Sequence, residues 1–230
     1  MVAILNNNAA LNNKYVGYIK NKEETQPVKP NDTYQVLDLT NPQIRKLAIE
    51  INNADATSLP NLFLEALTLY NDTQTSDALY MLYYAASKIR GGENNPFSQN
   101  TKYLEDALQL TQKHTERNPG DRLALILSGT IRFELAGVQR ERNNWPEALR
   151  NYREMLNVYL KALALFPDLN VGEPKTQEEK IINQDTARIG LCLQDILARN
   201  PEPEQQSNIK TNQDYRYLVE NLGFADNPEF

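Results

Sequence analysis

Histidine and cysteine, on which enzyme catalysis and metal binding often depend, are nearly absent from this chain. Its 230 residues include one histidine, His114, and one cysteine, Cys192. A single cysteine excludes an internal disulfide and a site built from several thiolates. The sequence also lacks a glycine-rich phosphate loop, zinc-ligand spacing and a nucleophile-elbow motif. We therefore predict that the protein is not an enzyme and has neither a cofactor nor a metal site.

Long hydrophobic runs are lacking too. The longest apolar stretch, residues 123–131, is about half the length that a membrane-spanning helix needs, and Arg132 follows it directly. At the N-terminus the apolar residues give way to asparagine after residue 5, too early for the core of a secretion signal. These absences predict a soluble, cytoplasmic protein with no segment inserted in a membrane.

An excess of positive charge is absent as well. The chain has 24 Lys and Arg residues against 30 Asp and Glu residues, which gives a formal net charge of −6. Proteins that bind nucleic acid need a surplus of Lys and Arg on at least one face to contact phosphates. We therefore expect a protein or peptide as the partner, and neither nucleic acid nor an acidic membrane surface.

Hydrophobic patterning divides the chain into three parts. Residues 1–40 have no helical period, and we interpret them as an extended N-terminal arm. Residues 41–203 carry apolar side chains at intervals of three and four, without a Gly/Ser-rich linker, which predicts one continuous helical domain. Residues 204–230 are predicted to form a short C-terminal helix followed by an acidic tail.

Helix starts are predicted from capping residues that precede the apolar pattern. Asn41 stands before a proline at the first helical position, a common arrangement at helix N-termini. Thr176 with Glu179, and Asn144 with Glu147, have the spacing of a capping box, in which two residues satisfy each other's backbone N–H groups. The predicted helices start near residues 42, 58, 76, 98, 121, 144, 176 and 212.

The helix predicted from residue 144 has the pattern of a known helical repeat. It carries, in order, an aromatic residue, a small residue, a second aromatic, an alanine and a closing proline, which are Trp145, Ala148, Tyr159, Ala162 and Pro167. This order resembles the second helix of a tetratricopeptide repeat. The resemblance implies antiparallel helix pairs in which small residues let the two helices approach closely.

The spacing between closing prolines departs from that family. Pro119 and Pro167 are 48 residues apart (167 − 119), whereas a standard repeat has about 34 residues. The excess of 14 is close to four helical turns, so each helix is about two turns longer. The resemblance covers about residues 75–167. We predict an all-α fold of stacked antiparallel helix pairs, either a tetratricopeptide-like α-solenoid or an unrelated helical bundle.

A groove lined by the first helix of each pair is what the resemblance implies for partner binding. Tyrosine offers apolar area with a polar tip, and arginine binds carboxylates through two hydrogen bonds, so the predicted partner has an acidic segment or a free C-terminus. The alternative assignment places the tyrosines in the core between hairpins and leaves the arginines solvated. The predicted groove residues are Tyr80, Tyr83, Arg90, Arg122, Leu125 and Arg132.

Two functions from different classes follow from these observations. The first is a non-catalytic scaffold or adaptor that binds a partner segment on a helical groove. The alternative is a structural subunit of a larger assembly, such as a virion, filament or secretion apparatus, in which the arm of residues 1–40 contacts neighbouring copies. His114 is expected to be either structural or simply exposed, and not catalytic, near a helix C-terminus, where a cationic or hydrogen-bonding side chain is favourable.

Overall fold

The computed structural model describes residues 41–91 and 100–224, and within these ranges the protein is all-α, with no β-strand. The predicted arm, residues 1–40, and the end of the acidic tail lie outside the described residues. The described helices, in chain order, are α1 Pro42–Asn53, α2 Leu59–Thr73, α3 Ser76–Gly91, α4 Lys102–Arg117, α5 Arg122–Glu141, α6 Trp145–Leu165, α7 Gln177–Arg199, α8 Pro203–Thr211 and α9 Gln213–Asn221.

The described helices belong to two compact units, and the boundary between the units falls inside α5, between Leu135 and Ala136. The N-terminal unit contains α1 to α4 and most of α5. The C-terminal unit contains the end of α5 and α6 to α9. The domain limits expected from the sequence, 41–203 and 204–230, remain a prediction.

Helix α3 is the centre of the N-terminal unit. It contacts α1, α2 and α4, and all nine residues from 78 to 86 are buried. A helix that is covered on every side must be apolar on every side, and this segment is composed of alanine, leucine, methionine and tyrosine. The covering helices are amphipathic instead. On α1 the buried residues are Ile44, Leu47, Ala48 and Ile51.

Two of the predicted N-terminal caps are confirmed. The Asn41 side chain accepts hydrogen bonds from the backbone N–H groups of Gln43 and Ile44 at the start of α1. Thr176 and Glu179 form the reciprocal capping box at the start of α7. Local hydrogen bonding of this kind depends only on residues a few positions apart, which is why the sequence predicts it.

Three expectations about helix ends are corrected. The Asn144 side chain does not cap α6; its Nδ2 donates to Gln139 Oε1 at 2.9 Å, because the tight turn after α5 brings these two residues together. Helix α4 begins at Lys102, not near residue 98. No helix start was predicted between residues 176 and 212, but Pro203 begins α8, since proline suits a first helical position.

In the C-terminal unit, α6 contacts α7 and α9, and α8 contacts α9. Both contacts of α6 include a polar side-chain bond. Tyr159 Oη donates to Asp185 Oδ2 at 2.5 Å between α6 and α7. Arg153 Nη1 lies 2.6 Å from Asp214 Oδ1 between α6 and α9. These bonds fix how α6 is placed along each of its two neighbours.

The loop between α6 and α7 is organised by one carboxylate. Glu179 Oε1 accepts the backbone N–H of Asn170 at 2.7 Å, and Oε2 accepts those of Lys175 at 2.7 Å and Thr176 at 2.8 Å. Burial raises the pKa of Glu179, but these hydrogen bonds to the charged form outweigh it and lower the pKa from 4.5 to about 2. The loop therefore depends on an ionised Glu179.

Acidification should weaken this loop. Because the folded-state pKa of Glu179 lies below its unfolded value, the stabilisation is complete above about pH 4.5 and is lost as the pH falls towards 2. We expect Glu179→Gln to lower the free energy of unfolding by about 2 kcal/mol at neutral pH and to reduce its pH dependence below pH 4.5. Urea unfolding followed by circular dichroism across this pH range measures both effects.

The matched control is Glu173→Gln, which changes an exposed carboxylate in the same loop. This variant should keep the stability and the pH dependence of the unaltered protein. An unchanged acid dependence in Glu179→Gln would contradict the role assigned to this carboxylate.

Candidate functional site

Three of the six predicted groove residues are enclosed by their own unit. Tyr80, Tyr83 and Leu125 are only 2%, 9% and 5% exposed, so they offer little surface to a partner. The rings of Tyr80 and Tyr83 pack edge to face with their centroids 5.8 Å apart. These tyrosines lie at the core positions of the alternative assignment, and their contact with a partner remains a prediction.

The three predicted groove arginines are partly covered. Arg90 on α3 forms an ion pair with Glu134 on α5, and the two side chains are 22% and 19% exposed. Arg122 and Arg132 are half-buried. To bind an acidic partner, the Arg90 guanidinium would have to give up a carboxylate that this chain already supplies.

The Arg90–Glu134 pair should contribute to stability more than an exposed pair does. Reversing one charge leaves two like charges in a partly buried place, so we expect Arg90→Glu to lower the free energy of unfolding by about 2 kcal/mol. The swap Arg90→Glu/Glu134→Arg should recover most of this loss. Urea unfolding of the single and double variants gives the coupling energy.

An exposed pair on α4 provides the control. Lys102 Nζ lies 2.9 Å from Asp106 Oδ1, and its side chain is 71% exposed. Reversal of Lys102 to glutamate should lower the free energy of unfolding much less than reversal of Arg90 does, because water screens an exposed pair. Equal losses for Arg90→Glu and Lys102→Glu would remove the argument that Arg90 is held in place by Glu134.

A buried polar network joins three elements of the N-terminal unit. His114 on α4 lies between Tyr70 on α2 and Asp121, the residue before α5. Its Nδ1 is 3.3 Å from Tyr70 Oη, and its Nε2 is 2.8 Å from Asp121 Oδ2. The other carboxylate oxygen of Asp121 accepts the backbone N–H of Ala124, which caps α5. Burial raises the pKa of the Tyr70 hydroxyl, so it stays protonated.

A tyrosine, a histidine and an aspartate in contact can relay a proton when they line a solvent-filled cleft. In this protein the tyrosine and the histidine are shielded from solvent. Tyr70 and His114 are each 3% exposed, so neither presents a reactive atom at the surface. Their contacts attach the turn between α4 and α5 to α2. The structure thus places His114 in a structural network, in line with the first alternative expected from the sequence.

The two functions of Asp121 can be separated by substitution. Asp121→Ser keeps an oxygen that can cap α5 but withdraws the carboxylate from His114, whereas Asp121→Ala removes both. We expect losses in the free energy of unfolding of about 1 kcal/mol for the serine variant and about 2 kcal/mol for the alanine variant. Urea unfolding checks this order, and equal losses would contradict a separate contribution from the His114 contact.

A concave surface lies between α1 and α2. It consists of two adjoining depressions of about 660 Å³ and 230 Å³ that share Lys46, Glu50 and Glu65. Ile49 lines the larger depression and is 52% exposed. We call this surface the α1–α2 groove. Its lining residues are Gln43, Lys46, Leu47, Ile49, Glu50, Asn53, Ala54, Thr57, Ser58, Asn61, Leu62, Glu65, Thr68, Leu69 and Asp72.

Negative charge predominates in the α1–α2 groove. Its lining contains three carboxylates, Glu50, Glu65 and Asp72, against one ammonium group, that of Lys46. Lys46 Nζ lies 3.6 Å from Glu50 Oε1, so these two charges largely offset each other. Within the described part of the chain, Glu65 and Asp72 have neither an ion pair nor a side-chain hydrogen bond. Two uncompensated negative charges therefore remain.

The connection between α1 and α2 adds a third negative charge next to one end of the groove. Asp55 Oδ1 accepts hydrogen bonds from the Ser58 hydroxyl at 2.7 Å and the Thr57 hydroxyl at 2.8 Å, as well as from the backbone of both residues. These bonds, led by those from the two hydroxyls, lower the pKa of Asp55 to about 2. The loop is thereby ordered beside the groove residues Thr57 and Ser58.

The sequence does not predict the α1–α2 groove. Its lining residues look like the ordinary solvated face of two amphipathic helices, and only the packing of α1 beside α2 turns that face into a concave surface. Among residues 41–91 and 100–224, no group of three His, Cys, Asp or Glu side chains is arranged to hold a metal ion. In the same ranges, no helix combines the length and apolarity of a membrane span.

Comparisons of the chain with protein-family models, with curated proteins and with solved structures give no match. The resemblance of residues 75–167 to tetratricopeptide repeats therefore remains a prediction.

Proposed function

We propose that this protein is a non-catalytic interaction scaffold or adaptor, and that it binds a segment of another protein in the α1–α2 groove. The observation that carries the proposal is the combination, in one concave surface, of the half-exposed Ile49 with the uncompensated carboxylates of Glu65 and Asp72. Protein-binding sites commonly pair an apolar contact area with polar groups that determine orientation.

The base of the groove supports this function because it is packed against the core of the N-terminal unit. Helices α1 and α2 contact each other, and both contact the buried helix α3. On α2 the side chains turned inward include Phe63, Ala66 and Tyr70, which are 3%, 0% and 3% exposed. A partner would therefore meet a surface that is already formed, so little ordering of the groove opposes binding.

Ile49 provides a direct test of the groove. We expect Ile49→Ser to weaken binding of the natural partner about tenfold, because an apolar contact at a protein interface contributes about 1 kcal/mol or more. The partner is identified by affinity capture of the full-length protein from its native cells with mass spectrometry. Its affinity for the purified variants is then measured by isothermal titration calorimetry.

Leu64 offers a matched control for that substitution. It lies on α2, is 57% exposed and does not line the groove. Leu64→Ser should keep the affinity of the unaltered protein. If the partner binds Ile49→Ser and Leu64→Ser equally well, the groove is not the binding site and the proposal fails.

A further inference from the structure

We propose that the segment bound in the α1–α2 groove is basic, with two cationic side chains about 10 Å apart and an apolar side chain beside them. This inference rests on the proposed function and specifies the chemistry of the partner. It differs from the acidic partner predicted from the arginines Arg90, Arg122 and Arg132. The described side chains of the groove show which of its charges are already compensated.

The positions of two carboxylates define the spacing. Glu65 and Asp72 are seven residues apart on α2, which is close to two full turns, so they lie on one face and about 10.5 Å apart along the axis. Two cations that approach both carboxylates must have a similar separation. A partner in the polyproline II conformation reaches it with basic residues three positions apart, which is one full turn, and a helical partner reaches it with basic residues seven positions apart.

The charges of the groove favour a cationic ligand over an anionic one. Lys46 is already offset by Glu50 at 3.6 Å, so an acidic segment would find no uncompensated cation in the lining and would be repelled by Glu65 and Asp72. A basic segment would instead form new ion pairs. Each exposed pair contributes only modestly, so the apolar contact with Ile49 is needed for useful affinity.

Synthetic peptides with the required charges and apolar side chains are tested for binding to the full-length protein. One probe is a fluorescein-labelled octapeptide with the core Lys-Leu-Leu-Lys, whose two lysines lie on one face in the polyproline II conformation. The second is a helical peptide with lysines seven positions apart and leucines on the same face. Each has a counterpart with glutamate in place of lysine. Fluorescence anisotropy at low and at physiological ionic strength gives the affinities.

We expect at least one lysine probe to bind, with an affinity that falls as salt is added because the ion pairs are exposed and screened. Glu65→Gln/Asp72→Asn should weaken this binding about fivefold to tenfold. The control Glu105→Gln/Glu116→Gln removes the same charge from an exposed face of α4 and should leave the affinity unchanged. Preference for the glutamate probes, or equal effects of the two double variants, would overturn the proposal.

Two other occupants are distinguished by two further measurements. Sedimentation that shows a dimer in the unaltered protein and a monomer in Glu65→Gln/Asp72→Asn would identify the occupant as a second copy of this chain. Lysine-probe binding that appears only after charge reversal of Lys14, Lys20 and Lys22 would identify it as the basic stretch 14–22 of the chain itself. Either result overturns the assignment to an outside partner.

Failure of this inference can be told apart from failure of the proposed function. If no lysine probe binds but the natural partner loses affinity in Ile49→Ser and not in Leu64→Ser, the groove binds a partner of another chemistry. The scaffold proposal then stands and the basic-segment proposal falls. If the natural partner is indifferent to Ile49→Ser, the groove itself is excluded.

Discussion

The N-terminal unit is built around the need to cover α3 on all sides. Nine consecutive residues of this helix, 78–86, are buried, and no single neighbour can shield an entire helical circumference. Helices α1, α2 and α4 all contact it as a result. Because α1 and α2 each turn one apolar face towards α3, their polar faces remain outside. The α1–α2 groove is a consequence of that arrangement and is supported by the same core.

Hydrophobic burial is not directional, so polar contacts are needed to fix how the covering helices are placed. His114 contacts Tyr70 on α2 and Asp121 at the start of α5, and the Arg90–Glu134 pair joins α3 to α5. Such groups must be bonded to partners when they are buried, because an unsatisfied polar atom would cost about 1–3 kcal/mol. The network therefore favours one packing arrangement among several that would bury similar apolar area.

Of the three caps predicted from neighbouring residues, two are confirmed and the one at Asn144 is wrong, whereas contacts that depend on packing were not predicted. The caps at Asn41 and Thr176 follow from residues two and three positions away. The contact between Tyr70 and His114 joins residues 44 positions apart and has no local pattern. The sequence does not predict the orientation of α3, because a helix that is buried on every side has no apolar periodicity to show which residues face outward.

The expected chemistry of the partner changed for a related reason. Arginines suggest an acidic ligand only where their charge is available, and a sequence does not show which charges are offset within the fold. Arg90 lies against Glu134 and Lys46 against Glu50, whereas Glu65 lies on an open concave surface and has no ion pair within the described ranges of the chain. Since uncompensated charges are what an approaching partner encounters, they decide the sign of the partner. The geometry of a few ion pairs thus carries more information about binding than the total of charged residues.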